Sequence, residues 1–216
     1  MTCAYDRSYL EKSKIALGRM LDYAVYDLKF DLSKFWEKFL VSPVSRQFES
    51  GDVSIIAGRS GIELCLMVLE INSGYKKPRI KEQKSKEYWT GWALAHFQWK
   101  SCLSFSQITS LIPIDEIMMM YSPYHEMDIR QFCDRMLKMY LERKPQTNLK
   151  QQRQFAGISQ SQLAEMSGVP LRTLQQYEQG QKNINKANAE YIISLSQVLY
   201  CDPKSLLEPN TDDFII

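Results

Sequence analysis

The chain has 216 residues, 44% of them hydrophobic, and a formal net charge of +2. That balance excludes a disordered chain and fits one large or two modest globular domains. Cys3, Cys65, Cys102, Cys133 and Cys201 are too scattered for a zinc knuckle, and no apolar run is long enough for a membrane span. The cysteines read as reduced thiols, and nothing reads as a signal peptide. The expectation is a cytoplasmic, all-α protein with no membrane contact, metal or cofactor.

From the N-terminus the periodicity is helical. Residues 8–28 repeat apolar side chains at Leu10, Leu17, Leu21, Ala24 and Leu28, the stripe of a long amphipathic helix. Asp31 is placed to cap a second helix carrying Leu32, Phe35, Trp36, Phe39 and Leu40, which must stop before Pro43. Ser42-Pro43 opens a short helix that ends at Gly51, and Asp52 opens another turn. Ser60-Gly61-Ile62-Glu63 has capping-box spacing and predicts a helix to about Ile71. Residues 72–86 form a basic loop with Lys76, Lys77, Arg79, Lys81, Lys84 and Lys86, either an arm for phosphate or an acidic partner, or a solvated loop.

A helix over 87–102 follows, dense in aromatics. Trp89, Trp92 and Trp99 fit either a buried core or a partner surface, and His96 reads as a satisfied core histidine. Ser104, Ile108, Pro113 and Ile117 faintly echo a pattern found again near the C-terminus. The turn is two residues shorter, and Asp115 and Glu116 stand where they would repel phosphate, so a plain helical hairpin is expected. Met118, Met119 and Met120 make an adaptable apolar patch. A last helix over about 124–143 leads into a linker at 144–148. No catalytic constellation emerges: Ala57-Gly58-Arg59-Ser60-Gly61 is too short for a phosphate loop, and an enzyme is not expected.

The most informative stretch lies at 149–208. A first helix over 149–156 ends at Gly157. Ser159-Gln160-Ser161-Gln162 then has capping-box spacing, with Ile158 and Leu163 forming a hydrophobic staple. Leu163, Ala164 and Met166 are expected to face inward. Gly168 permits a sharp turn, Val169 plugs the corner and Pro170 begins a helix over 171–179 that Gly180 closes. Leu174 and Tyr177 face the core, which leaves Leu171, Arg172, Gln175 and Gln176 outward as base readers. Arg172 suits guanine or a phosphate, the glutamines suit adenine, and Leu171 suits a thymine methyl. Gln160, Thr173, Gln179, Gln181, Lys182, Asn183 and Lys186 are candidates for phosphate contact and register.

This stretch resembles the lambda-repressor-like (Xre) helix-turn-helix family. The resemblance rests on Arg153, Gly157-Ile158-Ser159-Gln160, Leu163-Ala164, Gly168-Val169, Leu174, Tyr177-Glu178 and Gly180, and then on Leu195, Leu199, Cys201-Asp202-Pro203 and Leu206-Leu207. It implies a five-helix DNA-binding domain braced by a pair between Arg153 and Glu178. Pro170 departs from the usual Ser or Thr and removes one backbone donor.

The expected organisation is a helical domain at 1–143 for dimerisation or partner binding, the linker, the reader at 149–208, and a tail at 209–216. The apolar Phe214-Ile215-Ile216 in that tail either docks or frays. Between residues 149 and 186, five bases face only two acids, so a single reader is weakly attracted to DNA and a homodimer on a palindromic operator is expected. The domain order resembles that of toxin–antitoxin antitoxins. That resemblance implies a repressor whose first domain binds a protein toxin. The alternative is a regulator whose first domain senses a ligand.

Overall fold

The computed structural model describes residues 3–72, 84–144 and 146–209, and among them every regular element is helical. The chain divides into two units between Arg143 and Lys144. The loop lysines and arginine at 76–81 and the apolar tail lie outside the described residues. Among the described residues, no helix is long and apolar enough to cross a membrane.

The first unit is built on α1 (Leu10–Asp22) and α6 (Lys86–Ser101). Their backbones meet at glycines: a Cβ on Gly91 would lie 2.6 Å from the Leu17 carbonyl oxygen, and one on Gly18 would lie 2.8 Å from that of Tyr88. A π turn (Tyr23–Asp27) extends α1 and realises the predicted 8–28 helix. Then come α2 (Leu32–Val41), capped by Asp31; α3 (Pro43–Glu49); α4 (Val53–Ile56), capped by Asp52; and α5 (Gly61–Val68), opened by the reciprocal Ser60/Glu63 cap.

Helix α5 stops three residues before the expected end. Glu70 takes a left-handed φ of 56°, and the Ile71 N–H donates to the Leu66 carbonyl at 2.9 Å. This is a C-terminal closure usually supplied by glycine, so no glycine marked it in the sequence.

Helices α7 (Phe105–Leu111) and α8 (Ile114–Met119) form the expected hairpin. Helix α8 packs on α2 and α6. Both of its acids are engaged within the unit. Asp115 accepts from the Ser33 hydroxyl, and Glu116 pairs with both Arg143 amino groups at 2.6 and 2.7 Å. After a short turn, α9 (Tyr121–Tyr124), comes α10 (Ile129–Arg143). The predicted start near Tyr124 is too early, because Asp128 accepts the Arg130 N–H at 2.8 Å and starts the helix there.

The aromatic helix α6 belongs to the core. Trp89 packs edge-on against Phe132 with centroids 5.2 Å apart, and the Trp99 indole donates to the Tyr5 carbonyl at 2.8 Å. Trp92 lies under the Lys14 ammonium, 4.3 Å from its ring centroid. His96 differs from expectation: its Nδ1 is buried with no hydrogen-bond partner, and burial pushes the imidazole pKa down to about 4.

The second unit contains α11 (Asn148–Phe155), α12 (Gln160–Ser167), α13 (Leu171–Glu178) and α14 (Ala189–Val198). Two 3-10 turns complete it among the described residues: Ile184–Lys186, capped by Asn183, between α13 and α14, and Pro203–Leu206, capped by Asp202, where a fifth helix was expected. Leu149, Leu163, Val169, Leu174, Tyr177, Ile184, Leu195, Leu199 and Leu206 form its core. Met166 is a correction: it is 61% exposed, because the short α12 turns only Leu163 and Ala164 onto the core. The segment read as a linker is tied into this unit. Thr147 caps α11, Asn148 is buried, and Lys144 pairs with Glu208.

Candidate nucleic-acid interface

Local chemistry builds the interface from its turn outward. The Ser159 hydroxyl accepts the Gln162 N–H at 3.2 Å, and the Gln162 side chain accepts the Ser159 N–H at 2.8 Å. Two orphan donors at the start of α12 are thereby satisfied. The helix ends at Gly168, whose φ of 71° is costly for any residue bearing a Cβ. Val169 is buried in the corner. Pro170 stands at the N-cap of α13 rather than at its first helical position, and its carbonyl accepts from Thr173 and Leu174 at 2.8 and 3.0 Å. No side chain caps that end.

The inner face of α13 is fixed by Leu174, Tyr177 and Glu178. The Glu178 side chain is only 1% exposed, and that of Arg153 is 12% exposed. Arg153 donates to both carboxylate oxygens, at 2.6 and 2.9 Å, and also reaches the Ile158 carbonyl at 2.8 Å. The hydrogen bond with Glu178 holds the Arg153 pKa above its ordinary value. Gln160 is a further partner of this carboxylate: its amide donates to Glu178 at 2.8 Å. The Thr147 hydroxyl donates to the Glu178 backbone carbonyl at 3.3 Å. One buried carboxylate thus joins α11, α12 and α13. Gln160, expected on the DNA side, spends one donor inside this brace.

The outer face of α13 is open. Leu171 is 39% exposed, Arg172 and Gln179 are exposed, and Thr173, Gln175 and Gln176 are half-buried. Helical spacing places Arg172, Gln175, Gln176 and Gln179 on one side of the helix. Gln181, Lys182 and Asn183 are exposed in the loop that follows, and Lys186 is exposed in the 3-10 turn Ile184–Lys186. The four base-reading candidates therefore lie on α13, and the phosphate candidates other than Gln160 lie on the same helix or in the loop and 3-10 turn that follow it. Gln160 alone turns toward the brace.

Residues 149–203 match the family model for helix-turn-helix domains. The second unit is a lambda-repressor-like helix-turn-helix domain. The match covers about a quarter of the chain. This domain marks the chain as a DNA-binding transcriptional regulator. No match was found among curated proteins or solved structures.

Proposed function

We propose that this protein is a sequence-specific repressor that reads its operator with the outer face of α13. The observation that carries the reading is the contrast between the two faces of that helix. The inner face is locked by a buried ion pair, while Leu171, Arg172, Gln175 and Gln176 remain available for base edges. Thr173, Gln179, Gln181, Lys182, Asn183 and Lys186 flank them and take phosphates, with Gln160 contributing its second amide hydrogen. The modest local charge supports a homodimer that sets two copies of α13 in successive major grooves, about 34 Å apart. Covering a promoter in this way represses it.

The finer proposal is an antitoxin: the first unit binds a protein toxin, and the second represses the operon encoding both. The order of the two units supports it, a helical body followed by a helix-turn-helix domain.

Duplexes selected by the protein from a random-sequence pool test the first proposal. Arg172→Ala and Gln176→Ala are expected to relax discrimination by about 1–3 kcal/mol per lost base contact. Undiminished preference for the selected duplex in both variants would remove α13 as the reader. Co-purification with the product of the adjacent gene tests the second. A stable complex through the first unit supports the antitoxin. A metabolite-dependent operator affinity with no such complex replaces it with a ligand sensor.

A further inference from the structure

The loop after α13 is held by Asn183, itself a phosphate-contact candidate, and by Ile184, Asn185 and Glu208, which are not among the DNA-contact candidates. Ile184 is buried and anchors the 3-10 turn, while Asn183 caps that turn by accepting the Asn185 N–H at 2.9 Å. Asn185 then makes a reciprocal pair with the backbone of Glu208. Its amide donates to the Glu208 carbonyl at 2.8 Å, and its side-chain oxygen accepts the Glu208 N–H at 2.8 Å. The Glu208 carboxylate accepts the Asn148 N–H at 2.7 Å and pairs with the largely buried Lys144 ammonium. The Asn148 amide closes the ring on the Leu207 carbonyl. The start of α11, the closing segment and the loop carrying Lys182 are thereby one hydrogen-bonded assembly. Lys144 and Glu208 both lie outside the matched residues 149–203.

We propose that Asn185 and Glu208 are positioning residues that present the loop at 181–186 to the DNA backbone, so that the working DNA-binding module runs from Lys144 to Glu208. Two complementary hydrogen bonds fix both the distance and the direction of the loop, which a single contact would leave free to swing. Removing Asn185 releases the loop from the closing segment while leaving Ile184 in the core. The phosphate contacts then lose their preorganisation, and the base-reading face of α13 keeps its brace. The inference rests on the proposed DNA reading, because it takes the loop as a phosphate contact.

The test uses the full chain, a mixed-sequence duplex and a duplex selected from a random pool, with affinities measured across a salt series. Asn185→Ala and Glu208→Ala are expected to weaken both duplexes about tenfold and to make the salt dependence shallower by about one released counterion. The ratio between the two duplexes should be kept. Both Glu208 variants keep the backbone pair with Asn185, so Glu208→Ala tests the carboxylate's hold on Asn148 and Lys144; Glu208→Gln, which keeps an acceptor for the Asn148 N–H, should restore most of the binding. Leu206→Ala, a core truncation in the same unit, separates positioning from stability: it lowers the melting temperature without changing the salt slope. Should folded Asn185→Ala bind with the parent's affinity and slope, or lose binding only as its unfolded fraction rises, the clasp is overturned and the reading of α13 stands. A wild-type chain that binds neither duplex overturns both.

Discussion

The hairpins α7–α8 and α12–α13 begin alike. Ser104 with Gln107 and Ser159 with Gln162 form the same reciprocal cap. Ile108 and Leu163 are both fully buried, Pro113 and Pro170 both stand at the N-cap of the second helix, and Ile117 and Leu174 both face the core. They part on the outer side of that second helix. In α8, Ile114 is buried, Asp115 is bonded to Ser33 and Glu116 is paired with Arg143. The equivalent positions in α13 are Leu171, Arg172 and Thr173, which stay at least partly open to solvent. A capped hairpin is thus a general scaffold. It becomes a candidate reader only where its outward hydrogen-bonding groups are not consumed by the protein itself.

The ion pairs sharpen this contrast most. Arg153→Ala leaves the Glu178 carboxylate buried without its main partner, and a loss of about 3–5 kcal/mol is expected in chemical denaturation of the second unit. Arg143→Ala removes the partner of Glu116, which is 37% exposed and can be rehydrated, so a much smaller loss is expected. Equal losses would break the distinction between the two hairpins.

Acid comes next in size. All four tryptophans, at 36, 89, 92 and 99, lie in the first unit, so tryptophan fluorescence follows that unit alone. His96 has a folded-state pKa of about 4 against an ordinary value of 6.5. Between those values the unfolded chain takes up a proton that the folded unit refuses. The His96 contribution is therefore fully present above about pH 6.5 and is lost as the pH falls toward 4. His96→Phe is expected to flatten the fluorescence-detected stability over that window. A slope that persists unchanged assigns the acid sensitivity elsewhere. The second unit contains no histidine and should not share this effect.

The caps should give the smallest effect and the closest similarity. Ser104→Ala and Ser159→Ala each remove a side-chain acceptor at a helix start and are expected to cost about 1 kcal/mol in the unit that holds them. Similar values would show that the hairpins share a starting chemistry and differ only in what faces outward.

Much of this was legible in the sequence because it is local. Capping boxes at Ser60 and Ser159 depend on residues three apart, and both occur as spaced; the third, at Ser104, has the same spacing but is read in the sequence only as an echo of the C-terminal pattern. The turn at Gly168-Val169-Pro170 and the pair between Arg153 and Glu178 were also readable, the latter through a family resemblance. Other features were hidden. Glu70 closes α5 where a glycine would ordinarily advertise the end. Gln160 carries the same amide whether it faces phosphate or Glu178. Asn185 and Glu208 are 23 residues apart, and no periodicity links them. Thr147 is an ordinary N-cap residue before α11, but it stands in a segment whose Lys-Pro-Gln-Thr composition reads as a linker.

By itself the sequence determined the all-helical class, most of the places where helices begin and the helix-turn-helix character of the second unit. These follow from hydrogen bonds and apolar repeats within a few residues of one another. Only the tertiary structure decided that the tryptophan helix is core, that the acids of α8 are engaged while the equivalent face of α13 is open, and that 144–148 belongs to the reader unit. Each of those outcomes depends on which distant groups compete for the same donor, acceptor or apolar face, and that competition is settled only when the chain packs.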